Sequence, residues 1–418
     1  MNLGGLAALR RHRAVRALVR VTGGDCHLVG GVLRDRLLGL PVKDLDAVVA
    51  GGGEEVAARL AAELPARLVR LGGKEFAAFR LVTRRWVLDL WDRAEASLEA
   101  DLARRDFTVN SFAWAPAGGV LIDPFGGLDD LGRRLLRATT AASFSGDPLR
   151  VLRLPRFLVQ LPGFAADART VELARASAPA LAAVAAERVR EELALTLAHP
   201  EAHRGVELLA RLEVYPRLWL GREEGSADPG QALALLRALP AAAERFLIAA
   251  PELSDALDLA AAAWAATFAP LPDPPAALER FRTAGYLTNR LAERVQALLR
   301  LLSVPEDDRA RRRFLHAAGA AWPTAAVLLG ARAAAAGALA TWERALPPLV
   351  ELARRHGAEL AAPPRLLSGE EVRALLGVPP GPAVGRALAA VREAQVEGTV
   401  SGREEAVRLV ESLRGEGG

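Results

Sequence analysis

The chain is 418 residues long, about half apolar and a quarter charged, with a net charge of +4. This is the composition of a soluble globular protein too long for one core, so two to four packing units are expected. Its single cysteine, Cys26, excludes an internal disulfide and a thiolate zinc site, and is expected as a packed core thiol. No secretory signal is visible, residues 319–340 read as packed helix and not as a membrane span, and a reducing cytoplasm fits. Lys43 and Lys74 are the only lysines, so 52 of the 54 basic residues are arginine. That bias reads first as genomic composition, although the guanidinium fork also suits phosphates and base edges.

The first 140 or so residues mix strands and helices. Residues 6–20 predict a basic amphipathic helix whose Arg10, Arg11, Arg13, Arg16 and Arg20 form a solvated face. Residues 26–29 predict a short strand running into the Gly30-Gly31 turn, with a helix over 32–38. Residues 45–49, 77–83 and 86–91 read as strands, and 54–64 as an amphipathic helix between two of them. From Asp147 onward apolar residues recur at helical spacing. Pro200, Pro216, Pro240, Pro251, Pro305 and Pro363 punctuate these helices, and residues 268–275 form a Pro-rich loop or boundary. No strict repeat period is present, which argues against a solenoid. The expected fold is a small α+β domain followed by an all-helical remainder.

The chemistry concentrates in Leu28-Val29-Gly30-Gly31-Val32-Leu33-Arg34-Asp35 and the nearby Lys43-Asp44-Leu45-Asp46. Asp44 and Asp46, two apart on a strand, point to one side, and like charges held so close call for a cation between them. Hard carboxylate oxygens suit Mg²⁺, which completes its shell with water and substrate phosphate. A Gly-Gly turn opening a helix offers backbone N–H groups to an anion, and Arg34, one turn in, reaches the same phosphates. Asp89, amid apolar neighbours on its strand, needs a partner, a metal or an edge position facing water; Asp92 is expected in the turn beyond. Asp147, Arg150, Arg153 and Arg156 recur at three-residue steps, one slanting helical stripe whose guanidiniums repel unless an anion or a base lies against them.

With Arg104-Arg105-Asp106-Phe107-Thr108-Val109-Asn110 and Ile122-Asp123-Pro124-Phe125-Gly126-Gly127 between them, these segments in this order resemble the class II tRNA nucleotidyltransferases and bacterial poly(A) polymerases. The resemblance is dense over residues 28–157. It resumes at Glu187-Arg188-Val189-Arg190-Glu191-Glu192-Leu193, at Leu367-Ser368-Gly369-Glu370-Glu371-Val372 and at Gly381-Pro382-Ala383-Val384-Gly385. It implies an α+β nucleotidyltransferase palm (1–138) followed by an all-α neck (139–200), body (201–330) and tail (331–418). It further implies that Asp44 and Asp46 hold Mg²⁺ with Asp89 as third carboxylate, and that Gly30, Gly31 and Arg34 hold the triphosphate. Arg105, Asp106 and Asn110 would meet the nucleotide and its ribose, and Asp147 and Arg150 would read the base edge with Arg153 and Arg156 alongside. An Asp–Arg couple can mimic a template, because carboxylate accepts from an exocyclic amine while guanidinium donates.

The implied reaction is attack of an RNA 3′-hydroxyl on the α-phosphate of CTP or ATP. The helical remainder would hold the tRNA acceptor arm, with Arg309, Arg311, Arg312, Arg313, Arg354 and Arg355 as candidate contacts or merely solvated faces. Gly146 stands where complete CCA-adding enzymes carry glutamate. The segment from Asp89 to Asp101 is shorter than the flexible loop of those enzymes, with Ser97 expected to cap a helix. The short segment leans to CC addition, with a companion enzyme supplying the final A. Addition of A alone, full CCA addition, poly(A) polymerase (disfavoured by the lack of a basic tail after Leu413) and an RNA-binding protein with an inactive palm are the rivals.

Overall fold

The computed structural model describes residues 4–42, 44–72, 77–93, 97–221, 229–301 and 303–414. Lys43, Lys74 and residues 94–96 of the short segment after Asp89 lie outside these. The chain forms two compact units, Met1–Glu192 with Arg211–Val214, and Leu193–Ala210 with Tyr215–Gly418, a coarser division than the four segments expected.

The first unit opens with α1 (Gly4–Arg11) and α2 (Arg13–Val21). The single helix expected over 6–20 is broken at His12, whose extended backbone and Nδ1, accepting from Ala14 N at 3.3 Å, cap a second helix. Then follow β1 (Cys26–Val29), α3 (Gly31–Leu38), β2 (Asp44–Val49), α4 (Gly53–Glu63), β3 (Arg67–Gly72), β4 (Ala77–Val82), β5 (Val87–Asp92) and α5 (Leu98–Ala103). Next come β6 (Ala113–Ala115), β7 (Val120–Ile122), α6 (Gly127–Arg133), β8 (Leu135–Leu136), α7 (Ser143–Gly146), α8 (Arg150–Gln160), β9 (Ala165–Ala166), α9 (Ala168–Ser177) and α10 (Ala186–Leu197). Seven strands make one sheet in the order β3-β4-β5-β2-β1-β6-β7, in which β2 and β5 run parallel and the other pairs antiparallel. Period-two alternation divides each strand between two faces. On β2, Leu45, Ala47 and Val49 are buried on the side covered by α3 and α4. Val48 joins Val29, Leu102 and Ala113 on the other, where Trp91, Ile122 and Phe125 also pack. That second cluster closes one end of the face and leaves Asp44, Asp46 and Asp89 at its open end.

The second unit is helical: α11 (Ala202–Arg211), α12 (Val214–Trp219), α13 (Gly230–Ala249), α14 (Leu259–Phe268), α15 (Pro274–Thr283), α16 (Asn289–Leu299), α17 (Asp308–Ala318), α18 (Trp322–Ala335), α19 (Leu339–Ala361), α20 (Gly369–Leu376), α21 (Pro382–Glu397) and α22 (Arg403–Leu413). Trp219 is its aromatic centre, with Tyr215, Trp264, Phe268 and Phe281 rings 4.8 to 6.4 Å away. Its indole N–H donates to Thr267 Oγ1 at 2.9 Å, so the buried polar edge is satisfied. Pro240 does not punctuate as expected but lies inside α13, where packing against α18 outweighs one lost backbone bond. The run Asp308–Ala335 is long and apolar enough to cross a membrane by composition, yet 67% of its most apolar window is buried, which makes it core helix. The Leu367–Val372 motif is structural: Ser368 and Glu371 form a reciprocal capping box that starts α20.

Candidate active site

Strand register builds the carboxylate row. Asp46 on β2 is the direct neighbour of Asp89 on parallel β5, and Asp44 lies two residues away on the same face. Asp89 is held by Arg80 of β4, whose Nε and Nη2 donate to its two oxygens at 2.8 Å each. The Asp46 carboxyl is pushed up to about 6, first by burial and then by Asp89 and Asp44, against the pull of Arg105 and Arg80. Crowded hard-oxygen donors of this kind would be relieved by a divalent cation. Among the described residues no three acidic, His or Cys groups form a closed metal cage. Asp92, expected in a turn, is the last residue of β5, and its Oδ1 accepts Gly53 N at 2.7 Å at the start of α4.

Beside the row, β1 is followed by Gly30, which turns the chain at φ +76° into α3. The left-handed backbone favours glycine, and a Cβ there would stand 3.0 Å from Arg105 Nη1 and 3.1 Å from Asp46 Oδ2, close enough to press on both side chains. Arg34, on the first turn of α3, is buried and donates Nη1 to Asn110 Oδ1 at 2.6 Å. Asn110 Nδ2 donates to Asp106 Oδ1 at 2.9 Å, and Asp106 Oδ2 receives Arg153 Nε at 2.8 Å. The four residues thus form one continuous polar chain. Burial alone would raise the Asp106 carboxyl, but Arg153, Asn110, the Phe107 N–H and Arg150 outweigh it and hold it below its ordinary range.

The arginine stripe is present on α8, with Asp147 just before it in extended backbone and not on the helix as expected. Its mutual repulsion is offset by carboxylates from within the chain. Arg153 meets Asp106, Arg156 Nη1 meets buried Glu192 Oε1 at 3.0 Å, and Arg188 Nη2 meets Asp147 Oδ2 at 3.0 Å. Arg34, Arg153 and Arg156 stand 5.0, 5.4 and 4.4 Å from the Phe157 ring centre, one apolar platform shared by three guanidiniums. Arg150 donates to main-chain carbonyls of Ser143 (2.9 Å), Arg105 (3.3 Å) and Arg104. Arg105 is steadied by Asp101 at 3.2 Å and by the Trp91 face at 5.6 Å.

Together these groups enclose a cleft of about 580 Å³. Eleven of the thirteen site residues expected from sequence line it: Gly30, Gly31, Arg34, Asp46, Arg105, Asp106, Asn110, Asp147, Arg150, Arg153 and Arg156. Asp44 and Asp89 are not among its lining residues. Trp91, Asp101, Arg104, Phe157 and Gln160 complete the lining and carried no role in the sequence reading; Arg104 and Phe157 sit inside recognised motifs, the others beside them. Asp123 of the Asp-Pro-Phe-Gly-Gly turn is structural, accepting Gly127 N and Leu128 N at 2.8 Å each to start α6. In the helical half Arg309, Arg312, Arg313, Arg354 and Arg355 each meet an acidic side chain, and Arg311 donates to the Glu306 carbonyl.

A carboxylate row beside a guanidinium-lined cleft is a donor set chemically suited to a phosphorylated ligand. Comparison with known proteins agrees. The Poly A polymerase head domain family matches residues 26–137, and the family described as probable RNA and SrmB-binding site of polymerase A matches 163–219. A CC-adding tRNA nucleotidyltransferase from Geobacter sulfurreducens is 32% identical over 95% of this chain and 94% of its own length. An A-adding tRNA nucleotidyltransferase from Deinococcus radiodurans is 33% identical over 92% and 94%. A solved Thermotoga maritima CCA-adding enzyme complexed with tRNA shares the fold, at 21% identity and TM-score 0.66 over 99% of this chain and 98% of that one. The chain belongs to the tRNA nucleotidyltransferase and poly(A) polymerase family.

Proposed function

We propose that this enzyme, a template-independent tRNA nucleotidyltransferase, adds two cytidylates to the tRNA 3′ end and leaves the terminal adenosine to a companion enzyme. The observation carrying the chemistry is the Asp46–Asp89 pair, set against the Gly30 turn at the mouth of an arginine-lined cleft. The Gly30-Gly31 backbone, the start of α3 and Arg34 hold the triphosphate of CTP or ATP. Arg105, Asp106 and Asn110 meet the ribose, and Asp147 and Arg150 read the base edge, flanked by Arg153 and Arg156. Asp44 and Asp46 hold Mg²⁺, with Asp89 as third carboxylate. Bound there, the metal would lower the pKa of the attacking hydroxyl and stabilise the leaving pyrophosphate. The 3′-oxygen of the tRNA acceptor arm forms a bond to the α-phosphorus, the α–β bridging oxygen departs with pyrophosphate, and the hydroxyl proton passes to solvent.

What supports CC addition is length. Only residues 93–97 join β5 to α5, and Ser97 already caps the helix by accepting Ala100 N at 3.1 Å. Switching from C to A needs two arrangements of the site with different affinities, and the sequence supplies only five residues between β5 and α5 to act as a lever. The CC-adding and A-adding relatives are equally near, at 32% and 33% identity, so relatedness does not choose between them. The test is product length when tRNA lacking its 3′ end is supplied with CTP and ATP together: two C residues and a stop are expected.

A further inference from the structure

Gly30, Gly31 and Arg34 line the cleft beside Asp46, whereas Asp44 and Asp89 are not among its lining residues, and in-line displacement puts the attacking and leaving oxygens on opposite sides of phosphorus. With pyrophosphate leaving toward Gly30 and Arg34, the RNA 3′ end must arrive from the β5–β4–β3 side. Register shows what it would meet there. Arg67, Val82, Val87 and Asp44 form one cross-strand row, and Val69, Arg80, Asp89 and Asp46 the next, all on the same sheet face. At this end of the sheet the β4–β5 turn carries Arg84 and Arg85 at its apex. Thr83 fixes the turn, its Oγ1 donating to the Trp86 carbonyl at 2.8 Å and accepting Trp86 N at 3.1 Å. Arg67, Arg84 and Arg85 are exposed, and among the described residues none of them meets an acidic partner, unlike the five helical-half arginines that each do.

We infer that Arg67, Arg84 and Arg85 form the seat for the phosphates of the tRNA's 3′-terminal strand, guiding its hydroxyl to Asp44 and Asp46. This rests on the nucleotidyl-transfer reading above. Three strand spacings separate Arg67 from Asp44, about 14 Å, a reach that suits backbone contacts and not base reading. Arg80 is left out of the seat because its Nε–Nη2 edge is already engaged by both Asp89 oxygens.

The test uses full-length protein with Arg67, Arg84 and Arg85 all changed to glutamine, and a second variant with all three changed to lysine. Direct tRNA binding across a salt series is measured beside steady-state incorporation. The glutamine variant is expected to raise the KM for tRNA about tenfold and to flatten the log–log salt slope of binding by about 2, the value for three phosphate contacts on a single strand. The KM for CTP stays unchanged, and the lysine variant recovers most of the slope. An unchanged slope and tRNA KM would overturn the assignment and leave these arginines as guards of the exposed sheet edge. Wild-type protein that extends no tRNA would instead sink the functional reading, while the binding slopes still judge the seat.

Discussion

Asp46 faces Asp89 directly across the parallel β2–β5 pair, and Asp89 is in turn clasped by Arg80 from β4. The second carboxylate of the row therefore keeps a built-in counter-charge, whereas Asp46 has only the more distant influence of Arg105 and Arg80 to set against burial and two like charges.

That imbalance has a measurable sign. A carboxyl whose folded pKa is raised from 3.8 to about 6 stabilises the fold at low pH and loses that contribution as pH rises through about 6. Metal-free Asp46→Asn is expected to be more stable than wild type at pH 7, by about 2–3 kcal/mol at most, with the gain vanishing near pH 4. Urea unfolding at the two pH values checks this. The same substitution, and Asp44→Ala, should reduce incorporation below a few per cent; higher residual activity in either would remove the metal-holding role.

Asp106 predicts the opposite slope. Its lowered carboxyl stabilises the fold above the ordinary carboxylate range and loses that contribution on acidification. Asp106→Asn keeps one oxygen for Asn110 but removes the charge and the second oxygen that hold Arg153, at a cost of about 2–3 kcal/mol, reduced because Arg153 keeps a third of its surface in water. Thermal melts at pH 7 and pH 3 should show a large deficit that shrinks in acid.

Base choice and triphosphate binding should separate. Arg34→Ala is expected to raise the KM for CTP and ATP alike, while Asp147→Ala or Arg150→Ala changes their ratio. Equal losses of both nucleotides in every variant would contradict the assignment of Asp147 and Arg150 to the base edge. Arg188→Ala should resemble Asp147→Ala in part, because it frees the Asp147 carboxylate it now holds.

Gly30→Ala combines a left-handed backbone with a Cβ placed 3.0–3.1 Å from Arg105 and Asp46. A destabilisation of about 1–3 kcal/mol and loss of incorporation are expected together; wild-type activity would show that the turn tolerates displacement from Asp46.

Local pattern made β1, β2, β4 and β5 legible, because β4 and β5 bury alternate residues and β1 and β2 are short apolar runs. It did not show β3, where Arg67-Leu68-Val69-Arg70 is mostly exposed on an edge and carries no clean alternation. Nor did it show the break at His12, which depends on a cap and not on periodicity. The site's residue types were legible from their motifs. Their partners were not: Arg156 finds Glu192 and Asp147 finds Arg188 only because α8 and α10 are brought together by tertiary packing. The stripe accordingly looked like four groups awaiting a ligand, when part of its charge is already answered within the chain.

The most direct measurement compares two catalytic efficiencies on tRNA transcripts: C addition to one ending at the discriminator base, and A addition to one ending in CC. The account predicts a kcat/KM for C addition at least a hundredfold above that for A addition. Efficient addition of A to the CC-ending transcript would contradict CC specificity and identify the enzyme as A-adding or fully CCA-adding.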